Sequence, residues 1–171
     1  PSDKRATMER DILQKLGQPD CNHETFLLNI RCYLAAFNNM HAAVIFTPRD
    51  FHLSGLYPFR IHYVSNDVYV VDVAREYDRL VIGQKITAIN DQPISEMEQK
   101  LSSFSSAENT WTKRKSLDPV GFSQPEYYRL LGLTSSASNS VKLEFADHPS
   151  IRIAPVGKPD FHWHSGPPAP H

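Results

Sequence analysis

The residues able to do chemistry in this chain are scattered rather than gathered. His162 and His164 stand one residue apart, and in an extended segment they point the same way with Trp163 opposite. Two imidazoles so placed can hold a metal ion, but a built zinc site needs a third and a fourth ligand, and the proline-rich surroundings offer none. No metal ligand and no cofactor is therefore assigned. Cys21 and Cys32 are expected to be free thiols. A helix over about residues 22–37 would hold them roughly three turns apart, beyond disulfide reach. Serine is plentiful, but Ser102, Ser103, Ser105, Ser106, Ser135 and Ser136 cluster beside no plausible base. They read as solvated loop residues. His41 lies between a helix end and an apolar strand, where bonding a loop backbone group is a commoner role than orienting a catalytic segment. There is no G-x-S-x-G, no H-E-x-x-H, no phosphate-binding loop and no dinucleotide fingerprint. No catalytic residue is assigned.

Composition narrows the class. The chain has 171 residues, enough for one domain or one domain with a small subdomain. Apolar residues make up 40% and charged residues 22%, which fits a packed core. The formal net charge is -1, so nothing invites nucleic acid or an anionic membrane. Lys113-Arg114-Lys115 is too short for a polybasic patch and reads as a solvated helix face. No apolar run reaches the length of a membrane span, and no secretory signal is visible. The chain opens Pro-Ser-Asp without methionine, so its natural N-terminus is expected upstream.

The elements that must position any site centre on Gly83 to Ile94. Lys85 to Ile89 reads as a short strand, opened by Gly83 and closed by an Asn90-Asp91 turn. A helix follows, with Ile94, Met97, Leu101 and Phe104 along one face. Before it, Phe59, Ile61 and Tyr63 alternate with Arg60 and His62, and Ser65-Asn66-Asp67 turns the chain into Val68 to Val73. Upstream, residues 3–16 and about 22–37 read as helices, the second apolar on two faces. His41 to Thr47 reads as a strand. A long insert, about 105–139, carries two helical candidates, one from Glu108 to Leu117 and one starting at Gln124-Pro125. Val141 to Phe145 is a strand, with Ile151 to Ile153 as its hairpin partner. Residues 157–171 are a proline-rich linker or tail whose downstream partner is expected to be missing. The expected architecture is α+β. Residues 1–54 form a helical pair with one strand, and residues 55–156 form a small sheet domain with a helical insert.

Gly83-Gln84-Lys85-Ile86 with Ile89-Asn90-Asp91-Gln92-Pro93-Ile94, flanked by strands and a helix, resembles a PDZ-like domain. That resemblance implies a peptide groove. An extended peptide would add to the edge of the Phe59 strand and place side chains beside the Ile94 helix. Leu56, Tyr57, Phe59 and Ile61 would form the groove edge, with Met97 and Leu101 on the facing helix. Pro58 stands in the loop that holds a peptide carboxylate in such domains, and it has no N–H to offer.

The order of motifs along the chain widens the resemblance. Leu34-Ala35-Ala36-Phe37-Asn38-Asn39-Met40-His41 resembles the helix and D-G-H-T turn near the start of C-terminal processing (tail-specific) serine peptidases. Asn39-Met40 replaces the Asp-Gly of that turn. The PDZ-like unit follows, then Glu108-Asn109-Thr110 and Tyr127-Tyr128-Arg129-Leu130-Leu131-Gly132-Leu133, similar to features of the family's bacterial branch. The resemblance implies a non-catalytic substrate-recognition or gating region, an extracytoplasmic setting, and polypeptide or a C-terminal tail as partner. It also implies a catalytic domain elsewhere in the parent chain, carrying a serine activated by a desolvated lysine. The alternative is a stand-alone PDZ-like module that binds a peptide tail without enzyme activity.

Overall fold

The computed structural model of the chain describes residues 2–19, 21–39, 55–117, 121–134 and 139–157. The expected strand with His41, and the tail with His162 and His164, lie outside the described residues. The fold is α+β, an N-terminal helical pair followed by a six-stranded antiparallel sheet. The chain divides into two compact units, Pro1–His52 with Ser102–Lys113 and Leu53–Leu101 with Arg114–His171. The grouping therefore puts Ser105–Lys113, read from sequence as part of the insert of the second domain, with the N-terminal helices.

In the first unit, α1 (Ser2–Leu16) ends at Gly17, whose N–H donates to Leu13 O at 3.1 Å. The next helix, α2 (His23–Ala35), is opened by Asn22, whose side chain accepts from Thr25 N at 2.8 Å and satisfies one orphan donor of the first turn. Of the two apolar strips of α2, Leu28 and Ala35 are buried while Phe26 is exposed. Past α2, Asn38 takes a φ of 49°, a left-handed conformation in which a helix cannot continue. The segment after Leu101 is laced to α2: Arg31 Nε donates to Phe104 O at 2.9 Å, and Ser106 Oγ to Leu34 O at 3.4 Å.

In the second unit the strands are β1 (Phe59–Val64), β2 (Asp67–Val73), β3 (Lys85–Ile89), β4 (Gln92–Pro93), β5 (Val141–Phe145) and β6 (Ile151–Ile153). Their order is β1-β2-β3-β5-β6, with β4 also paired to β3. Alternation writes this sheet. Phe59 and Ile61 of β1, Val68 and Val70 of β2, and Ile86 and Ile89 of β3 are all buried. Asn90 and Asp91, with φ of 51° and 61°, make the two-residue turn into β4. Positive φ at both central residues twists a hairpin the right way, and Asn and Asp tolerate it. Helix α3 (Ile94–Leu101) meets the sheet at β3 and β4, with Met97 and Leu101 buried. It stops three residues short of Phe104, and Ser102–Phe104 forms a 3-10 turn instead. Paired serines compete for nearby backbone groups and disfavour a helix interior. Helices α4 (Thr110–Leu117) and α5 (Pro125–Leu130) complete the helices among the described residues, the latter with proline in its first turn. Among the described residues no helix is long and apolar enough to cross a membrane.

Candidate functional site

Among the described residues β1 is a terminal strand of the sheet, paired on one side to β2. The β1–β2 hairpin turns through Ser65 and Asn66 alone, with Val64 opposite Asp67. A two-residue loop closes on a hydrogen-bonded pair, so the next pair, Tyr63 and Val68, is of the open kind. Tyr63 and Ile61 thus turn their main-chain N–H and C=O groups outward, away from β2. The register agrees, since Val70, opposite Ile61, bonds the other way: its N–H donates to Gln84 O at 3.0 Å and its carbonyl accepts from Gly83 N at 2.8 Å. The outer edge of β1 is therefore a row of main-chain groups of the type to which an extended chain can pair.

The side chains expected to line a groove there do not do so. Tyr57, Phe59 and Ile61 are each 1% exposed, and Met97 and Leu101 are at 0%. They are core residues. Tyr57 and Phe59 come together, their ring centroids 6.4 Å apart, while Met97 and Leu101 belong to the helix over β3 and β4. Leu56 is half-buried and exchanges two hydrogen bonds of 2.9 Å with Val156 in an isolated bridge. Tyr57 also stacks edge-on against Tyr128, centroids 5.3 Å apart, and its hydroxyl donates to Asn139 O. Burial pushes the Tyr57 phenol well above its ordinary pKa, and Tyr128, fully buried, is raised in the same way.

Two residues that sequence reading had set aside sit at the two ends of this edge. Ser123 is 5% exposed, and Ser105, read as a solvated loop residue, is buried too at 6%. Ser123 Oγ donates to Phe59 O at 2.8 Å, and the Ser123 carbonyl accepts from Tyr57 N at 2.8 Å. Arg114, read as part of a solvated face, is half-buried instead. Its Nη1 donates to Ser65 O at 3.2 Å and to Asn66 Oδ1 at 2.9 Å, and its guanidinium lies over the Tyr63 ring, 5.3 Å from the centroid. Glu98 grips the same guanidinium with both oxygens, at 2.7 Å and 3.4 Å, and that hydrogen bonding raises the arginine pKa further. No local signal marks either residue. A serine after Gly-Phe and an arginine inside Lys-Arg-Lys look like any solvated pair, and their partners lie 64 and 49 positions away.

A hollow of about 410 Å³ opens beside the Asn90–Asp91 turn, with Lys142 and Arg152 in its lining. Lys142 Nζ donates to Asp91 Oδ1 at 2.7 Å and lies 3.4 Å from Glu144 Oε2. Those carboxylates, Asp91 first, raise the lysine pKa and answer its charge within the chain. Among the described residues no group of histidine, cysteine, aspartate and glutamate could hold a metal ion.

No family model and no curated protein matches the sequence. Solved structures do match. The chain is similar over 88% of its length to a crystal structure of a variant of CPAF, a chlamydial serine protease, with a TM-score of 0.60 and 16% identity. It is similar over 87% of its length to mature CPAF complexed with lactacystin, with a TM-score of 0.53 and 15% identity. At such identities the likeness is one of fold: this chain folds like a region of a serine protease. It spans 28% of the length of each of those chains.

Proposed function

We propose that this chain is a non-catalytic, substrate-recognition or gating region of a serine peptidase of the C-terminal processing family, and that residues 55–156 act as its PDZ-like unit. The observation that carries the reading is the fold likeness over most of this chain to a serine protease of which it spans little more than a quarter. The motif order read from the sequence points to the same family. A terminal strand with outward main-chain groups supplies the recognition element. Recognition then rests on the main chain of β1, because Tyr57, Phe59, Ile61, Met97 and Leu101 are spent on the core. The Ser–Lys pair of such an enzyme would come from residues that these 171 do not match.

The test uses fluorescein-labelled unfolded casein. The 171-residue chain and the full-length product of the reading frame that encodes it are each incubated with casein, and fragments are read on a gel. We expect fragments from the full-length product and none from the chain alone. Fragments from the chain alone would overturn the non-catalytic assignment. An inert full-length product would overturn the peptidase reading, and the stand-alone peptide-binding module would take its place if the chain still bound casein.

A further inference from the structure

The charges that line the hollow beside the Asn90–Asp91 turn do not all find partners. Strands β3, β5 and β6 lie side by side, so Asp91 in the turn after β3, Lys142 on β5 and Arg152 on β6 follow one another across the sheet. Lys142 and Arg152 are opposite in register, which puts both side chains on one face with Cβ atoms about 5 Å apart. Like charges so placed repel. Lys142 is relieved by Asp91 Oδ1 at 2.7 Å and Glu144 Oε2 at 3.4 Å. Arg152 is exposed, and no carboxylate among the described residues pairs with its guanidinium. The frame around the two cations is tied down. Asn90 bonds both Leu133 O and Lys142 N, and Glu144 Oε1 accepts from Asp91 N at 2.9 Å. An ammonium has three N–H donors, so Lys142 keeps one beyond those turned to Asp91 and Glu144. Ser140 adds a hydroxyl to the same lining.

We propose that this hollow binds a carboxylate group, carried either by an acidic side chain of a polypeptide or by a small organic acid. The planar fork of Arg152 takes both carboxylate oxygens, and the remaining N–H of Lys142 reaches one of them. Charge balance sets the class of anion. Two cations and two carboxylates leave the cluster neutral as a whole, with Lys142 standing between Arg152 and Asp91. One negative charge beside Arg152 is favoured locally. A second, as on phosphate, would face Asp91 and Glu144 with no cation left to answer it. The hollow is larger than a carboxylate group, which leaves room for the molecule that carries it. The site is independent of the reading of β1 as a recognition edge, because β1 and β6 stand at opposite ends of the strand order among the described residues.

The experiment titrates the isotope-labelled 171-residue chain at neutral pH and follows its NMR resonances. The probes are butyrate and the capped peptide acetyl-Gly-Glu-Gly-amide, with acetyl-Gly-Gln-Gly-amide and inorganic phosphate as controls. Either carboxylate is expected to shift the Arg152 side-chain N–H and the Lys142 amide, with a Kd on the order of 1 mM. Arg152→Gln should weaken that binding about tenfold, the loss of a charged bidentate contact. Arg79→Gln removes the same charge from an exposed arginine outside the hollow and should change nothing. Tighter binding of the peptide would support a polypeptide as the source of the carboxylate, and equal or tighter binding of butyrate a small acid. Phosphate or the glutamine peptide binding as well as the carboxylates would overturn the assignment. So would an equal loss in Arg79→Gln, which would reduce the effect to net charge. No shift at Arg152 and Lys142 with either carboxylate at about ten times that concentration would overturn the site in the parent chain alone, however the variants fold. Peptide-induced shifts confined to β1 would overturn it too, while favouring recognition at that edge.

Discussion

Asn90 shows how one residue can hold three separated segments. It sits at a φ of 51°, its Nδ2 donates to Leu133 O at 3.1 Å, and its Oδ1 accepts from Lys142 N at 2.8 Å. The turn, the segment before β5 and β5 itself meet on this side chain. Asn90→Gly keeps the backbone conformation and loses both side-chain bonds, so it should cost about 1–3 kcal/mol of stability in urea unfolding. Asn90→Ala adds the left-handed penalty of roughly 1 kcal/mol and should be the worse of the two. An alanine variant as stable as the glycine one would remove the backbone part of that account. Cys32 supplies a pH dependence. Burial pushes its thiol from 9.0 up to about 11, against a smaller opposing effect of its hydrogen bond with Ser103. Between pH 9 and 11 the unfolded chain releases this proton and the folded one keeps it. The native state then binds more protons, so stability falls as pH rises through that window, and nothing is lost below it. Tyr57 and Tyr128, also raised by burial, extend the loss to higher pH. Urea midpoints at pH 8, 9 and 10 check this, and Cys32→Ala should flatten the first part of the decline.

Among the elements, α3 separates a groove wall from a core helix. Met97 and Leu101 are buried in a helix that packs on β3 and β4, so Met97→Ala should cost about 2–4 kcal/mol in denaturant unfolding. A loss below about 1 kcal/mol would mean the site opens to solvent, as a groove would. The bridge between Leu56 and Val156 depends on Gly55, which has a φ of 95° and no room for a Cβ against the Val156 carbonyl. Gly55→Ala is expected to lower stability by about 1–3 kcal/mol, combining conformational strain with a displaced bridge, which thermal unfolding would show. The strands and helices themselves were largely legible. Val141 to Phe145 and Lys85 to Ile89 have the boundaries that alternation and the flanking turns indicate. Where α3 ends was not legible, because an apolar stripe continues through Phe104 while serines at 102 and 103 break the helix beneath it.

For the whole molecule, sheet order decides which strand faces outward. β3 is paired with β2, β4 and β5, whereas β1 has one strand neighbour among the described residues. Amide exchange should therefore be slowest in β2, β3 and β5 and faster at the outward amides of β1. Slowest exchange in α1, where Leu13 is exposed and Ile12 buried, would contradict the sheet as the stable centre. The sequence by itself determined the α+β class, the sites of the turns and the order of the elements. Each of these follows from patterns within a few residues: alternation, helical spacing, and the Asn, Asp and Gly that accept positive φ. It did not determine what each element packs against. Apolar spacing at Phe59, Ile61, Met97 and Leu101 marks a face to be covered, and that face reads the same whether a ligand or the core covers it. Only the tertiary structure buried these side chains and brought Ser123 to Phe59 and Arg114 to Ser65. Those contacts join residues dozens of positions apart. Their hydrogen bonds are short in space but leave no periodicity in the chain.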